Sequence, residues 1–385
     1  MVKGWGTATI RDVSTIFGRI GFRGYTKKDI VDFYEGAISL SPSNLKDGKI
    51  MTDNSTFISW DKYNESPEIK IQIGDVVLVK TGSTYGKSAY VDSLTWATTL
   101  NPQIVVFKNI KINSKLFAYL IQTPEFKRQI NSTVVGGAIP TLSQNQVYRF
   151  QIVFPKNSSE QQRIAEALSD VDGMISSLEK LVAKYKSIKT ACLQQMFPQN
   201  GETVPRMRLP EFTGAWEQRK LNELVVYIST NLTASDASEE GDCNLYDANS
   251  IIGKAKVEPI RTKYITIIKD GASVGRIRKM PENTFFIGTM GGLQAKKSDL
   301  NFVFALLTRH DIGKSFSGST IPHIYFKDYG NNKYLVPKLT EQEVLGRFFS
   351  NLDNLITLHQ RKLEKVQKIK QGMMQQLLTG KIRLV

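Results

Sequence analysis

Two cysteines and three histidines are all that 385 residues offer of the side chains that most often carry metal and nucleophilic chemistry. Cys192 and Cys243 stand alone, so neither a disulfide framework nor a zinc-ligand spacing is written in the chain. Cys192 falls on the apolar side of a helical pattern and reads as a small packing residue. His310, His323 and His359 are too scattered for a metal site or a nucleophilic triad. His359 falls in a helix seam, whereas His323 follows Ile321-Pro322 in a loop and is a candidate ligand contact. Long apolar runs are missing: no stretch of about 18 apolar residues occurs, as a membrane-spanning helix would need. The opening MVKGWGTATIRDV lacks the apolar centre of a signal peptide, so the chain reads as cytoplasmic. It also lacks a Gly-rich cofactor loop, an Asn/Asp-Pro-Pro-aromatic run for amino methylation and a nuclease-type Asp…Glu-x-Lys set. The expectation is a protein without catalysis of its own.

Acidic residues are scarce as well. Thirty-six Asp and Glu face 51 Lys and Arg, giving a formal net charge of +15 and a pI near 9.5. That balance favours an anionic partner, nucleic acid before an anionic membrane. Hydrophobic residues at 41% indicate a globular chain, and its length suits two or three domains.

What the chain does have is a repeat. Residues 160–197 align without a gap on residues 341–378, and the shared positions include Glu160 and Glu341, Gln161 and Gln342, Asp172 and Asp353. Lys189 and Lys370 are also shared. Three landmarks recur upstream in the same order. Trp5-x4-Ile10-x2-Val13 returns as Trp216-x4-Leu221-x2-Leu224. Gly82-Ser-Thr-Tyr-Gly86-Lys87 returns as Gly271-Ala-Ser-Val-Gly275-Arg276. Ile139-Pro140 returns as Ile321-Pro322, each followed by a second proline at Pro155 or Pro337. Trp5 to Pro155 is longer than Trp216 to Pro337, so the globular regions have diverged while the helical ones kept their length. In chain order, a globular region over residues 1–155 is followed by a helix over 156–200. A linker and second globular region cover 201–337, and a second helix covers 338–385. A duplicated chain of this kind suits a two-sided partner, and the charge points to DNA.

Each globular region mixes strand and helix signals. Residues 76–80, 104–107, 150–154, 264–268 and 285–287 are rich in β-formers, while 114–131 and 299–309 read as helices. The fold class is therefore α+β: two mixed α/β domains and two long helices in a pseudo-twofold repeat. In the first helix Ile164, Leu168, Val171, Ile175 and Leu178 keep 3-4 spacing; in the second Leu345, Phe349, Leu352, Ile356 and Leu363 do, with His359 at the seam position between the last two. Both seams are interrupted at the same place, by Lys189 and Lys370. The pattern supports pairing of the helices as a coiled coil, with separate packing of each helix on its own domain as the other arrangement.

Gly82 to Ser88 resembles a phosphate-binding P-loop but has three residues between its glycines where four are needed, and its counterpart keeps the short spacing. A tight turn between strands fits better, and it would present side chains to a phosphate backbone or a base edge. Candidate DNA contacts in the first globular region are Arg19, Arg23, Lys27, Lys28, Lys80, Ser83, Thr84, Tyr85 and Lys87. In the second they are Arg261, Lys263, Ser273, Arg276, Arg278, Lys279 and His323.

LQQMFPQNGETVPRMRLPEFTGAWEQRKLNEL (193–224) and GMMQQLLTGKIRL (372–384) resemble the central and C-terminal conserved regions of the specificity subunits of type I restriction–modification enzymes. GWGTATIRDV is similar to the start of a target recognition domain, without the Pro-Arg-x-Arg-Leu-Pro-Glu-Phe leader that precedes Trp216. The resemblance implies two target recognition domains, each reading half of a bipartite double-stranded DNA site. It also implies an antiparallel coiled coil that sets the gap between the halves and docks two modification (methyltransferase) subunits. S-adenosylmethionine would belong to those subunits, ATP and Mg to restriction (motor and nuclease) subunits, and no cofactor to this chain. Two other classes stay open on the residues alone: a self-contained methyltransferase or nuclease, and a basic scaffold that binds only protein.

Overall fold

A computed structural model of the chain describes residues 2–19, 21–133, 141–310, 312 and 322–385. They form two compact units that are not consecutive in sequence. One is Met1–Ser177 together with Leu363–Val385, the other Leu178–Lys362.

In the first unit, Thr15–Gly18, Ile104–Lys108, Val76–Val79 and Ser88–Tyr90 lie side by side in an antiparallel sheet. Val76–Val79 is buried along its whole length, and the two-residue period of a strand explains how. Val76 and Leu78 face one core with Val105, Phe107 and Phe117, whereas Val77 and Val79 face a second with Ile104, Val106 and Leu100. A sheet covered on both faces needs apolar residues at successive positions, which is what VVLV and IVVF supply. A second sheet orders Thr98–Leu100, Ala37–Leu40, Thr56–Ile58 and Ile30–Val31; its first two strands run parallel. Trp5–Thr9 pairs with Gln151–Pro155. The expected helix over 114–131 is two helices, Ser114–Leu120 and Pro124–Thr133. Pro124 supplies no N–H to continue the first helix and suits the first turn of the next.

The second unit repeats this plan. Val225–Ile228, Met290–Ala295, Tyr264–Ile268 and Ile277–Met280 form its antiparallel sheet. Ile265 and Ile267 point to one core, Tyr264 and Ile268 to the other. Glu217–Lys220 pairs with Lys333–Val336, as Trp5–Thr9 does with Gln151–Pro155. The helix Leu300–Arg309 is capped by the Asp299 carboxylate, which accepts from Phe302 N at 2.7 Å. Gly346 of the long helix lies against that cap; a Cβ there would collide with the Asp299 carboxylate.

The two long helices, Ser158–Gln195 and Leu339–Leu377, are each about 57 Å long at 1.5 Å per residue. Each unit holds the first part of one and the last part of the other, running antiparallel. In the first unit Ile164 and Leu168 share a core with Leu377, Leu378 and the sheet. In the second, Leu345, Phe349 and Leu352 do so with Leu193, Met196 and Phe197. Both packing arrangements anticipated for the helices thus occur together, with each helix start set into its own domain and against the other helix. Val171, Ile175 and Leu363 are half-buried; Leu178 and Ile356 are buried.

The lysines that interrupt the seams have a physical reason. Lys370 Nζ lies 2.6 Å from Asp172 in the first unit, and Lys189 Nζ lies 2.5 Å from Asp353 in the second. Tyr119 OH also donates to Asp172, at 2.6 Å, and Lys279 sits 3.7 Å from Asp353, so each carboxylate ties a helix pair to its globular domain. Gln161 and Gln342 do the same at the helix starts. Gln161 Oε1 accepts from Asn113 N at 2.9 Å and its amide donates to Pro155 O; Gln342 accepts from Asp299 N at 3.1 Å and donates to Pro337 O.

Candidate nucleic-acid interface

The repeated glycine turn joins two antiparallel strands in both units, as its length predicts. Gly82, Gly86, Gly271 and Gly275 have φ of 104°, 81°, 86° and 82°, values that side chains with a Cβ rarely adopt. The backbone bonding matches bond for bond. Val79 N donates to Lys87 O and Gly86 N to Val79 O, as Ile268 N does to Arg276 O and Gly275 N to Ile268 O. A second loop crosses each turn. Thr81 bridges Thr141, and Asp270 bridges His323, with Leu142 N on Lys80 O and Ile324 N on Lys269 O. The segment that precedes the second loop includes Ile139-Pro140 and Ile321, which lie outside the described residues.

The structure separates the candidate contacts into two kinds. Ser83 and Lys87 are exposed on the first turn, with Thr84 and Tyr85 half-buried beside them; Tyr85 OH donates to Asn131 at 3.2 Å. On the second turn Ser273 and Arg276 are exposed, and Arg276 is aimed by two bonds, to Ala248 O at 2.6 Å and Asn249 Oδ1 at 2.9 Å. Arg278 donates to Asn249 O and lies over the Tyr246 ring. His323 touches Asp270 through Nδ1 and packs on Tyr325, over which Lys327 also lies. Lys27, Lys28, Arg261 and Lys263 are exposed away from the turns in sequence. Lys80 is half-buried at the base of the first turn, and burial pulls its pKa down.

Three basic residues hold the fold instead. Arg19 is 3% exposed; its guanidinium donates to Leu100 O, Thr99 Oγ1 and Arg23 O, so it ties strands together. Arg23 donates to Glu65 O and pairs with Glu68 at 3.5 Å. Lys279 is turned to Asn301 and Asp353, and burial depresses its pKa. All three look like surface charges in the sequence because their partners are remote in the chain. Asp270 gives no signal there either; its only local mark is its place directly before Gly271.

Among the described residues no cluster of His, Cys, Asp and Glu could hold a metal ion, and no helix is long and apolar enough to cross a membrane.

The family model described as "Type I restriction modification DNA specificity domain" matches residues 3–189 and 214–368. The type I restriction enzyme MjaVIII specificity subunit of Methanocaldococcus jannaschii is 24% identical over 367 residues, spanning 87% of this chain and 80% of that one. The putative MjaX specificity subunit of the same organism is 21% identical over 99% of this chain and 94% of its own length. A crystal structure of a type I restriction–modification S subunit from M. genitalium superposes with a TM-score of 0.70 at 18% identity, covering 97% of this chain and 96% of that one. With most of both repeats inside the matched residues, the chain belongs to the type I restriction–modification specificity subunits, the non-catalytic members of those systems.

Proposed function

We propose that the two globular regions, residues 1–155 and 201–337, each read one half of a bipartite double-stranded DNA site for a type I restriction–modification complex. The observation that carries this reading is the turn built to one backbone plan in both units but with different side chains. Ser-Thr-Tyr and Lys87 stand in one, Ala-Ser-Val and Arg276 in the other. A shared frame with divergent tips is what two readers of unlike sequences require, since phosphate contacts position and base contacts specify. Lys27, Lys28, Lys87, Arg261, Lys263, Arg276 and Arg278 would neutralise phosphates, and Ser83, Thr84, Tyr85, Ser273 and His323 would meet base edges.

The long helices would set the gap between the halves and dock two modification subunits, which hold S-adenosylmethionine, with ATP and Mg on restriction subunits. Phe348, Leu355 and Leu358, exposed at 37%, 36% and 60%, give the second helix an apolar surface that its own domain leaves uncovered.

The test is genome-wide mapping of methylated adenines in cells with and without this chain, alongside binding by the purified complex. The expected result is two short blocks separated by a fixed gap. A single uninterrupted site, or methylation indifferent to this chain, would refute the proposal.

A further inference from the structure

The second unit carries at its turn a pair of side chains that the first unit lacks. Asp270 and His323 face each other across an antiparallel bridge, and directly opposed residues on such a ladder project to the same side. Gly271 N donates to Pro322 O at 3.1 Å and Ile324 N to Lys269 O at 3.0 Å, which clamps the two backbones on either side of the pair. Asp270 Oδ1 meets His323 Nδ1. A carboxylate only accepts, so Nδ1 carries a proton, and in its neutral form the ring presents a lone pair at Nε2.

That second nitrogen has no hydrogen-bond partner among the described residues, and it is not among the buried polar atoms left unsatisfied. The His323 and Asp270 side chains are 27% and 38% exposed, open enough to meet a ligand while the ladder holds them in place. Tyr325 packs against the imidazole at 4.1 Å between ring centroids, fixing the ring from another side. The same bridge in the first unit joins Thr81 to Thr141, whose hydroxyls both donate and accept and so impose no polarity.

We infer that Asp270 and His323 form a specificity element, in which Asp270 positions the imidazole and His323 Nε2 accepts a hydrogen bond from the exocyclic amino group of one base. This rests on the proposal that the second unit reads DNA. In the major groove only adenine N6 and cytosine N4 offer such a donor; guanine and thymine present a carbonyl oxygen there, which would face the Nε2 lone pair. The element therefore selects an amino base over a keto base at one position of one block. A protonated imidazole resting on a phosphate is the competing use of the same ring, and it would carry no sequence preference.

The experiment uses the complex reconstituted with its modification subunits, on wild type and on His323→Ala, Asp270→Ala and Asp270→Asn. Methylated sites are mapped, and binding is measured to duplexes substituted one base pair at a time. With His323→Ala or Asp270→Ala, discrimination at one base pair of one block should fall roughly tenfold or more, with every other position unchanged. Asp270→Asn keeps the shape of the site but accepts either ring tautomer, so it should admit the keto base at that position. If wild type shows no two-block site, the DNA reading fails and this inference falls with it. If wild type reads two blocks and the variants keep the full preference, or lose affinity equally for all sequences, the inference alone is overturned.

Discussion

Arg208 and Arg383 do one task in two places. Arg208 grips Glu341 with Nε at 2.8 Å and Nη2 at 2.7 Å, while its Nη1 donates to Gly214 O, two residues before Trp216. Arg383 grips Glu160 with Nε at 2.5 Å and Nη2 at 2.7 Å, while its Nη1 donates to Lys3 O, two residues before Trp5. The segment around Arg383 thus does beside Trp5 what the segment around Arg208 does beside Trp216. Both glutamates are buried, at 1% and 3% exposure, so the bidentate arginine is what makes their charge tolerable. Removing it strands a carboxylate: Arg208→Ala should cost about 3 kcal/mol in denaturant unfolding of the second unit. Glu160 also responds to pH. The Arg383 guanidinium hydrogen-bonded to it holds its carboxyl below the ordinary value of 4.5. Its stabilisation is therefore complete above pH 4.5 and fades as pH falls through the lowered value. Glu160→Gln should flatten the acid limb of the first unit's stability curve; an unchanged limb would show that other carboxylates govern it. None of this is legible in the sequence. The repeat marks Glu160 and Glu341 as shared positions, but their partners stand 223 and 133 residues away, beyond any local spacing.

At the scale of elements, periodicity is a good guide where burial has one direction and a poor one where it has two. The 3-4 seam locates both long helices because one stripe of each is buried. The runs VVLV and YITII are recognisable as strands from β-branched content, but the order and the one parallel pairing in each unit depend on contacts between distant segments. The seam lysines, which read as interruptions, are instead part of the pairing. Asp353→Ala would leave Lys189 and Lys279 without their shared carboxylate, two half-buried cations close together. It is expected to lower the melting temperature of the second unit. Replacing Lys189 and Asp353 together by leucine should recover the part of that loss due to Lys189, while Lys279 keeps only Asn301, because apolar packing substitutes for a covered ion pair more readily than an unpaired charge can be tolerated. Equal melting temperatures for the single and double variants would argue against a structural role for the pair.

For the whole molecule, charge and repetition point to DNA from the sequence alone, whereas the tips that would read bases are identifiable there only as turns. Binding through phosphates predicts that the complex's affinity falls linearly in log K against log salt. Neutralising Lys87 with Lys87→Ala should weaken binding to all sequences alike and reduce that slope by about one unit. Inserting one heptad into both long helices adds about 10 Å, close to three base pairs, and should lengthen the gap between the two blocks by that amount; a complex that keeps the original gap would remove the helices from the role of spacer. The division of the chain also bears on how it is made. Residues 363–385 complete a unit whose other residues are 1–177, so the region synthesised first is finished last. At about 5–20 residues per second, the first unit waits on the order of 10–40 s for its final segment, with Ile164 and Leu168 lacking Leu377 and Leu378 and Glu160 lacking Arg383. The later-encoded Leu178–Lys362 has all its own residues before that wait ends. Nascent chains of this protein should therefore acquire protease resistance in the reverse of their order of synthesis.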